Sequence, residues 1–245
     1  MNYKRYYLSL YEWLRIIGEF LIGDIIAAYL FYDSFVAAVI GLAGLYPYVT
    51  YRKKGLAAKN RQRLKEEFQE LIGVVSGKIR AGMSCENAFC DSLPDMEKMY
   101  GPDSMICREI KLISVRLDRR ESLDSCLYDI GTRSGIDDIV DFAQVFSIAK
   151  SGSGRLREVI EDTVLMMREK GETESEIEVL IAGKKLEQKI MYIVPPIIIA
   201  YLKLEAGDYM SILYHNPLGI SVMSICLLLF IFSFFVAERV VNIEV

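Results

Sequence analysis

Few side chains in this chain of 245 residues have the types and spacing that enzyme or metal chemistry needs. There is one histidine, His215, and the five cysteines form no C-x-x-C pair, so a zinc site is not expected and reduced cytosolic thiols are predicted. The segments GSGRL (152–156) and GKK (183–185) lack the G-x-x-x-x-G-K-[ST] spacing that binds phosphates. The sequence therefore predicts no catalytic residue, no cofactor and no metal, and the energy for its function must come from a partner.

Two carboxylates, Glu19 and Asp24, interrupt an apolar stretch and are the candidates for chemistry inside a membrane. The segment LIGDII (21–26) is similar to the G-x-G-D motif of intramembrane aspartyl peptidases, although Leu21 stands where the first glycine should be. Such an enzyme also needs a second aspartate within a span, and the sequence offers none, so the peptidase is the less favoured alternative. A transporter or channel is the other alternative. It would need polar residues on several spans, and only these two acids qualify.

The elements around these acids are predicted to be membrane-spanning helices. The clearest is 218–237, which carries no charge and can cross about 30 Å of hydrocarbon at roughly 1.5 Å per residue. Residues 16–32 and 35–51, separated by two residues, predict a tight transmembrane hairpin. The fourth candidate, 189–204, has a short uncharged part that its flanking lysines extend by snorkelling. Whether this fourth segment crosses completely stays open.

The positions of the basic residues predict the orientation of these spans. Arg52, Lys53 and Lys54 follow the second span, and three lysines between 184 and 189 precede the third. The hairpin turn has no basic residue, and the connection 203–217 has one. Both termini and the middle segment are therefore predicted to lie in the cytosol. The formal net charge of −4 disfavours nucleic acid as a partner.

The middle segment, 55–188, predicts a cytosolic antiparallel bundle of about six helices. The chain is thus expected to be an all-α, multi-pass membrane protein with three parts: a transmembrane hairpin (1–54), the bundle, and a transmembrane pair with a short cytosolic tail (189–245). Apolar residues recur in the middle segment at helical spacing, which is typical of helices with one buried face. The four stripes are Leu64, Phe68, Leu71, Ile72, Val75 and Ile79; Ile106, Ile110, Ile113 and Leu117; Ile136, Ile139, Val140, Ala143, Phe146 and Ala149; and Leu156, Val159, Ile160, Val164 and Met167.

A weak internal repeat marks the turns between these helices. The segments SCENAFCD (84–91) and SLDSCLYD (122–129) both open with a serine in N-cap position, where its oxygen can accept a free backbone N–H. Both place an acidic residue two positions later, which is favourable near the positive end of the helix dipole. A third segment, KSGSGRLREVI (150–160), again joins two apolar helices through serine and glycine. The pattern predicts helix, short turn and helix, three times over.

The last helix of the bundle is predicted to continue into the membrane. From Leu156 onward only two glycines weaken it, each by about 1 kcal/mol relative to alanine. Pro195 and Pro196 lie in its apolar part and cannot donate to the carbonyls one turn earlier, so a kink is expected there. We interpret this kink as a passive bend, and a mechanical hinge is the functional alternative.

The turns carry a resemblance to a known family. RAGMSCENAF (80–89), ESLDSCLYDIGTRSG (121–135) and SGSGRLREVIED (151–162) resemble the repeated helix-turn signatures of the type II secretion system F domain. The carboxyl end, with a PLG turn before the last span and a charged tail, is similar to that of TadB-type proteins of the Tad (Flp) pilus system. The likeness covers about residues 60–245, and it leaves the TadB and TadC types hard to separate. The positions that match the signatures are Gly82, Ser84, Ser122, Gly154, Arg155 and Leu156, as turn and packing residues.

The resemblance implies a non-enzymatic inner-membrane platform protein of a pilus or secretion machine. Implied partners are a cytosolic assembly ATPase, a sister platform subunit or a second copy, pilin subunits and membrane lipid. Glu19 and Asp24 are expected to face protein or headgroups, with contact to an entering pilin as the functional hypothesis. Further candidate contacts with partners or membrane are Arg52, Lys53, Lys54, Pro195 and Pro196. The basic run 52–65 and the acidic run 169–178 are candidate docking surfaces or merely solvated faces.

Overall fold

The structure, a computed structural model, describes residues 10–152, 156–207, 213–214 and 216–241. Every regular element in these residues is helical, which confirms the all-α class. A 3-10 turn at Leu42–Gly44 joins the second and third helices. The helices are α1 Leu10–Phe31, α2 Phe35–Gly41, α3 Leu45–Arg80, α4 Cys85–Asp91, α5 Leu93–Tyr100, α6 Met105–Asp118, α7 Leu123–Ser134, α8 Asp137–Ser151, α9 Leu156–Glu205 and α10 Pro217–Val241.

The described chain forms two compact units. One contains residues 53–173 and is called here the bundle unit; the other contains 10–52 and 174–241 and is called the apolar-helix unit. The boundaries between the units fall inside two long helices, α3 with 36 residues and α9 with 50 residues. The sequence predicts the second boundary near residue 188. In the structure the boundary lies at 173–174, and residues 174–188 belong to the apolar-helix unit.

The core of the bundle unit is built from the predicted apolar stripes. All six residues of the α3 stripe are buried, from Leu64 to Ile79, and Phe68 meets Phe142 of α8 edge to face with ring centroids 5.6 Å apart. The α6 stripe is buried at Ile106, Ile110 and Ile113. The α9 stripe contributes one buried residue, Ile160, and Leu156, Val164 and Met167 pack at the margin of the core. Burial of one face of each helix is the main source of the stability of such a bundle.

Two buried carboxylates bind cationic or backbone donors inside the bundle unit. Glu67 of α3 accepts a hydrogen bond of 3.0 Å from the backbone N–H of Ile106 in the first turn of α6, and it also pairs with Arg63. Glu109 of α6 binds both terminal nitrogens of Arg133 in α7, at 3.1 and 2.7 Å. Because buried carboxylates are costly without such partners, these contacts fix how α3, α6 and α7 pack.

A close approach of backbones defines the α7–α8 hairpin. Gly135 ends α7 with a φ of +67°, and Ile136 is the N-cap of α8. One turn away, a Cβ on Gly131 would lie 2.9 Å from the backbone nitrogen of Val140, so no larger residue fits without displacing a helix. The hairpin is therefore tightest next to its turn.

The apolar-helix unit is tied together by polar contacts at the ends of its helices. At the α1–α2 turn, Asp33 pairs with Lys203 near the end of α9, at 2.6 Å. The hydroxyl of Tyr214 donates to the carbonyl of Leu30 at 2.6 Å, and Tyr32 hydrogen-bonds Ser224 of α10 at 2.9 Å. These contacts hold the turn of the first hairpin beside the ends of α9 and α10.

Among the described residues, one helix is long and apolar enough to cross a membrane by length and composition: α10, over Pro217–Phe234. This segment agrees with the strongest predicted span, 218–237. The other three predicted spans do not meet that test and stay predictions. The physical reasons are visible in the sequence: α1 carries Arg15, Glu19 and Asp24, the second segment is interrupted by the 3-10 turn, and the uncharged part of α9 is short.

Candidate functional site

The three turns that carry the repeat meet at one side chain, Lys150 at the end of α8. Its ammonium group lies 3.4 Å from Glu86 in the first turn of α4 and 3.4 Å from Asp124 in the first turn of α7. These are the two acidic residues that the repeat places two positions after its serines. We call the three turns, 81–86, 119–124 and 150–152, the signature turns. Their meeting was not predicted, because a lone lysine at a helix end gives no signal of its partners.

The first signature turn is built around Gly82. The N–H of Gly82 donates to the carbonyl of Ile79 at 3.0 Å, and that of Met83 donates to Lys78 at 3.1 Å. This pair of bonds, with a φ of +99° at Gly82, is a Schellman motif that ends α3. Ser84 then caps α4 by accepting the N–H of Asn87 at 3.3 Å, which confirms its predicted N-cap role.

The second signature turn repeats this geometry with a different residue. Arg120 has a φ of +66°, its N–H donates to Leu117 at 2.8 Å, and the N–H of Glu121 donates to Arg116 at 3.1 Å. Arg120 therefore occupies the position of Gly82, two residues before the N-cap serine in both turns. Ser122 is the N-cap of α7 as predicted, but its side chain makes no capping hydrogen bond. The equivalence escapes the sequence because arginine gives no indication of a left-handed conformation.

The third signature turn is described only in part. Gly154 and Arg155, which the resemblance selects, lie outside the described residues. Before them, Gly152 donates its N–H to Ile148 at 3.0 Å at the end of α8, and after them Leu156 begins α9 and packs against the core. Ser84, Lys150 and Leu156 line one open cleft of about 560 Å³, so the structure brings the first and third turns together.

The side chains at this cleft are a protonated thiol and partly exposed ion pairs, which are typical of packing and turn positions. Burial raises the pKa of the Cys85 thiol, with a smaller contribution from Glu86, so the thiol stays protonated and unreactive at neutral pH. Lys150, Glu86 and Asp124 are each between 31% and 43% exposed, and such pairs contribute only about 0.2–1 kcal/mol. Within the described part of the chain, no three His, Cys, Asp or Glu side chains are grouped to hold a metal ion. The contacts of Lys150 with Glu86 and Asp124 thus hold the three turns together.

The candidate contacts of the first hairpin fall into two groups. Glu19 is brought together with Arg52, whose guanidinium lies 2.5 Å from one carboxylate oxygen, and it also pairs with Arg15 at 3.1 Å. Asp24 faces α2 instead, and its carboxylate lies against Gly41. A Cβ at residue 41 would overlap that carboxylate, so α1 and α2 approach closely because Gly41 has no side chain. Lys53 and Lys54 are exposed on α3.

The two prolines lie inside an unbroken helix. Pro195 and Pro196 are half-buried within α9, which runs without interruption from Leu156 to Glu205 and so confirms the predicted continuation of this helix. Beyond them, Lys203 donates to the carbonyl of Tyr29 at 2.7 Å and lies 3.4 Å from the centre of the Tyr29 ring. We call Lys203, Asp33, Tyr29 and Tyr214 the polar clasp. It was not predicted, because its members are distant in sequence.

Comparisons of the chain with protein-family models, with curated proteins and with solved structures found no match.

Proposed function

We propose that the chain is a non-enzymatic, multi-pass inner-membrane platform protein of a Tad/Flp-type pilus or a type II secretion machine. In this role it couples a cytosolic assembly ATPase to pilin polymerisation. The family part of the proposal rests on the resemblance of the turns, and their meeting at Lys150 supports treating them as one structural module of the fold.

The observation that carries the membrane part of the proposal is the outward-facing apolar surface of α1, α9 and α10. In the candidate span of α10, 11% of the residues are buried within the protein. Such a surface is unfavourable in water, whereas lipid accommodates it. Large apolar side chains that are more than half exposed recur on all three helices: Leu14, Ile22, Ile25, Ile26, Ile190, Met191, Ile193, Ile197, Ile198, Leu218, Val222, Ile225, Leu228, Leu229 and Phe232.

The packing of α9 along α10 supports a membrane location for both. Tyr192 of α9 donates to the carbonyl of Phe234 at 3.2 Å, near the end of the candidate span. Eleven residues later, Lys203 lies within 5.3 Å of the ring centre of Tyr214, just before the start of α10. The segment 192–203 therefore contacts the chain near both ends of the candidate span. If α10 crosses the bilayer, this part of α9 lies at the same depth.

The charged ends of the apolar-helix unit fit the orientation that the basic residues predict. The polar clasp holds Asp33 and Lys203, which belong to the two connections assigned to the outer side. Glu19, near the start of the first predicted span, pairs with Arg52, just after the second, and these are the span ends assigned to the cytosolic side. In this orientation Asp33 and Glu19 are each paired with a basic residue at a depth that lipid headgroups and water reach.

Recruitment of the ATPase tests the proposed role. Full-length protein in native membranes is expected to retain the assembly ATPase encoded near it, and detergent-solubilised protein is expected to co-purify with it. A variant with Gly131→Leu, which would force α7 and α8 apart, is expected to lose the ATPase while staying in the membrane. Failure of the wild-type protein to recruit the ATPase in both settings would leave at most a passive scaffold.

A further inference from the structure

The α7–α8 hairpin has an open groove on its solvent side. The two helices are closest at Gly131 and Val140, next to their turn. One turn farther from it, a groove of about 430 Å³ opens between them. Its floor is Ala143, and its walls include Tyr128 and Ile148. The geometry follows from the sequence, since a glycine permits contact at one end and larger residues separate the helices beyond it.

The walls of this groove include two large side chains, Ile148 and Tyr128, that the bundle leaves exposed, alongside the polar residues Ser125, Gln144 and Ser147. Ile148 is 72% exposed and Tyr128 is 50% exposed, whereas Phe142 and Phe146 on the same hairpin are buried. Other large apolar side chains of the bundle unit are also exposed, such as Met166 at 69%, but Ile148 is distinguished by lying on the wall of a groove. Concave apolar surfaces with polar margins are typical of binding sites.

The charge next to the groove is negative. Asp137 and Asp141 lie on the same stripe of α8 as Ile148, at helical spacing. Neither makes an ion pair among the described residues, whereas their neighbour Asp138 is bound by two lysines. Asp124 lies at the far end of the groove, where Lys150 partly compensates it. An apolar groove with unpaired carboxylates beside it matches a ligand that is both apolar and basic.

We infer that this groove binds an amphipathic helix of a partner protein, with large apolar side chains inserted in the groove and lysine or arginine residues beside them. The lining residues span about one turn of each helix, from Asp124 to Tyr128 and from Ala143 to Ile148, which matches two anchors one turn apart. Two anchors one helical turn apart are the pattern of helix-in-groove recognition. The negative margin disfavours an anionic lipid surface as the occupant. The inference concerns the bundle unit alone and holds for any machine in which the protein works.

The test uses full-length protein in detergent and two labelled synthetic helices. Both carry two leucines four residues apart in an alanine background; one has flanking lysines and the other has flanking glutamates. Fluorescence anisotropy is expected to show binding of the basic helix, with the acidic helix weaker by about tenfold or more. Ile148→Ser, which removes the apolar contact without changing the charge, is expected to weaken the basic helix by about tenfold or more, as loss of an anchor contact does. Leu112→Ser, at a residue of α6 that is 40% exposed and outside the groove, is the matched control and should leave binding within about twofold.

A charge swap separates specific binding from adhesion. Asp141→Lys is expected to weaken the basic helix and to strengthen the acidic one, because it reverses a charge on the same stripe of α8, two turns before Ile148. All these substitutions are at exposed positions, and circular dichroism is expected to show unchanged helicity. The inference is overturned if the wild-type protein fails to bind the basic helix, if Ile148→Ser binds it as well as wild type, or if Asp141→Lys leaves the preference unchanged. ATPase recruitment and membrane topology are independent readouts, so their failure is distinguishable from failure of this inference.

Discussion

The two units of the molecule place their apolar side chains in opposite ways. In the bundle unit the stripes of α3, α6 and α8 point inward and close around a core of phenylalanine, leucine and isoleucine. In the apolar-helix unit the buried cluster is small, with Leu30, Phe31, Tyr214 and Met223 as its buried members, while long apolar faces remain exposed. The comparison teaches that the same residue types form a closed core in one unit and remain exposed in the other, where the proposed function gives them contact with lipid.

The largest difference between the units is expected for matched phenylalanine substitutions. Phe142→Ala in α8 should destabilise the bundle by about 3–5 kcal/mol, because Phe142 is 2% exposed and its loss leaves a cavity. Phe232→Ala in α10 should change bundle stability by less than about 0.5 kcal/mol, because Phe232 is 66% exposed. The measurement is the rate at which the buried thiol of Cys107 is labelled in denaturant, followed by mass spectrometry of the full-length protein. Equal effects of the two substitutions would break the comparison.

The next effect concerns Asp138, which binds Lys170 of α9 and lies 3.0 Å from Lys65 of α3. Burial opposes ionisation of Asp138, but the two lysines outweigh burial and lower its pKa. A lowered folded-state pKa stabilises the bundle above the unfolded pKa of about 3.9, and this contribution is lost as the pH falls through the folded value.

Asp138→Asn is therefore expected to cost about 1–3 kcal/mol at neutral pH, since two lysines lose their counter-charge. The loss should shrink as the pH falls below the unfolded pKa of about 3.9, because the unfolded carboxylate then takes up a proton, and it should shrink further as the pH falls through the lowered folded pKa. Urea unfolding of both proteins between about pH 2 and about pH 7, a range that includes the region below the unfolded pKa, measures the difference. A constant difference across this range would contradict the assignment.

Substitutions at the first two signature turns are expected to have opposite signs. Gly82→Ala should cost about 1 kcal/mol or more, since a Cβ is strained at a φ of +99°. Arg120→Gly should be neutral or stabilising by up to about 1 kcal/mol, because it removes the same strain. The apolar-helix unit offers no matching comparison in α1, because Gly18 and Gly23 both lie in regular helix and not at a left-handed turn. Thermal unfolding followed by circular dichroism compares the two variants, and a loss of stability in Arg120→Gly would show that its side chain matters more than its backbone.

The smallest effect is expected at Lys150. Lys150→Ala should cost about 0.2–1 kcal/mol, because its two ion pairs are half-exposed. Lys184→Ala, which removes one exposed pair with Glu187 in the apolar-helix unit, should not change labelling of Cys107. A loss above about 3 kcal/mol at Lys150 would mean that the three signature turns depend on it far more than exposed ion pairs allow.

Periodicity and capping rules predict much of the bundle but little of its tertiary pairing. The α3 stripe and the N-cap serines were evident from sequence, since each depends on neighbours within one or two turns. The partners of Lys150, the left-handed Arg120 and the polar clasp were not, because they depend on residues brought together only by folding. Similarly, α10 was the evident span, whereas α1 and the end of α9 carry charges whose partners, Arg52 and Asp33, appear only in the structure.

The central claim is that the bundle unit lies in the cytosol while the apolar helices cross the membrane. Reporter fusions that distinguish the two sides of the inner membrane test it most directly, placed after Asp33, after Gly135 and after residue 208. The account predicts an outer signal after Asp33 and after residue 208, and a cytosolic signal after Gly135. An outer signal after Gly135, or signals after Asp33 and Gly135 from the same side, would contradict it.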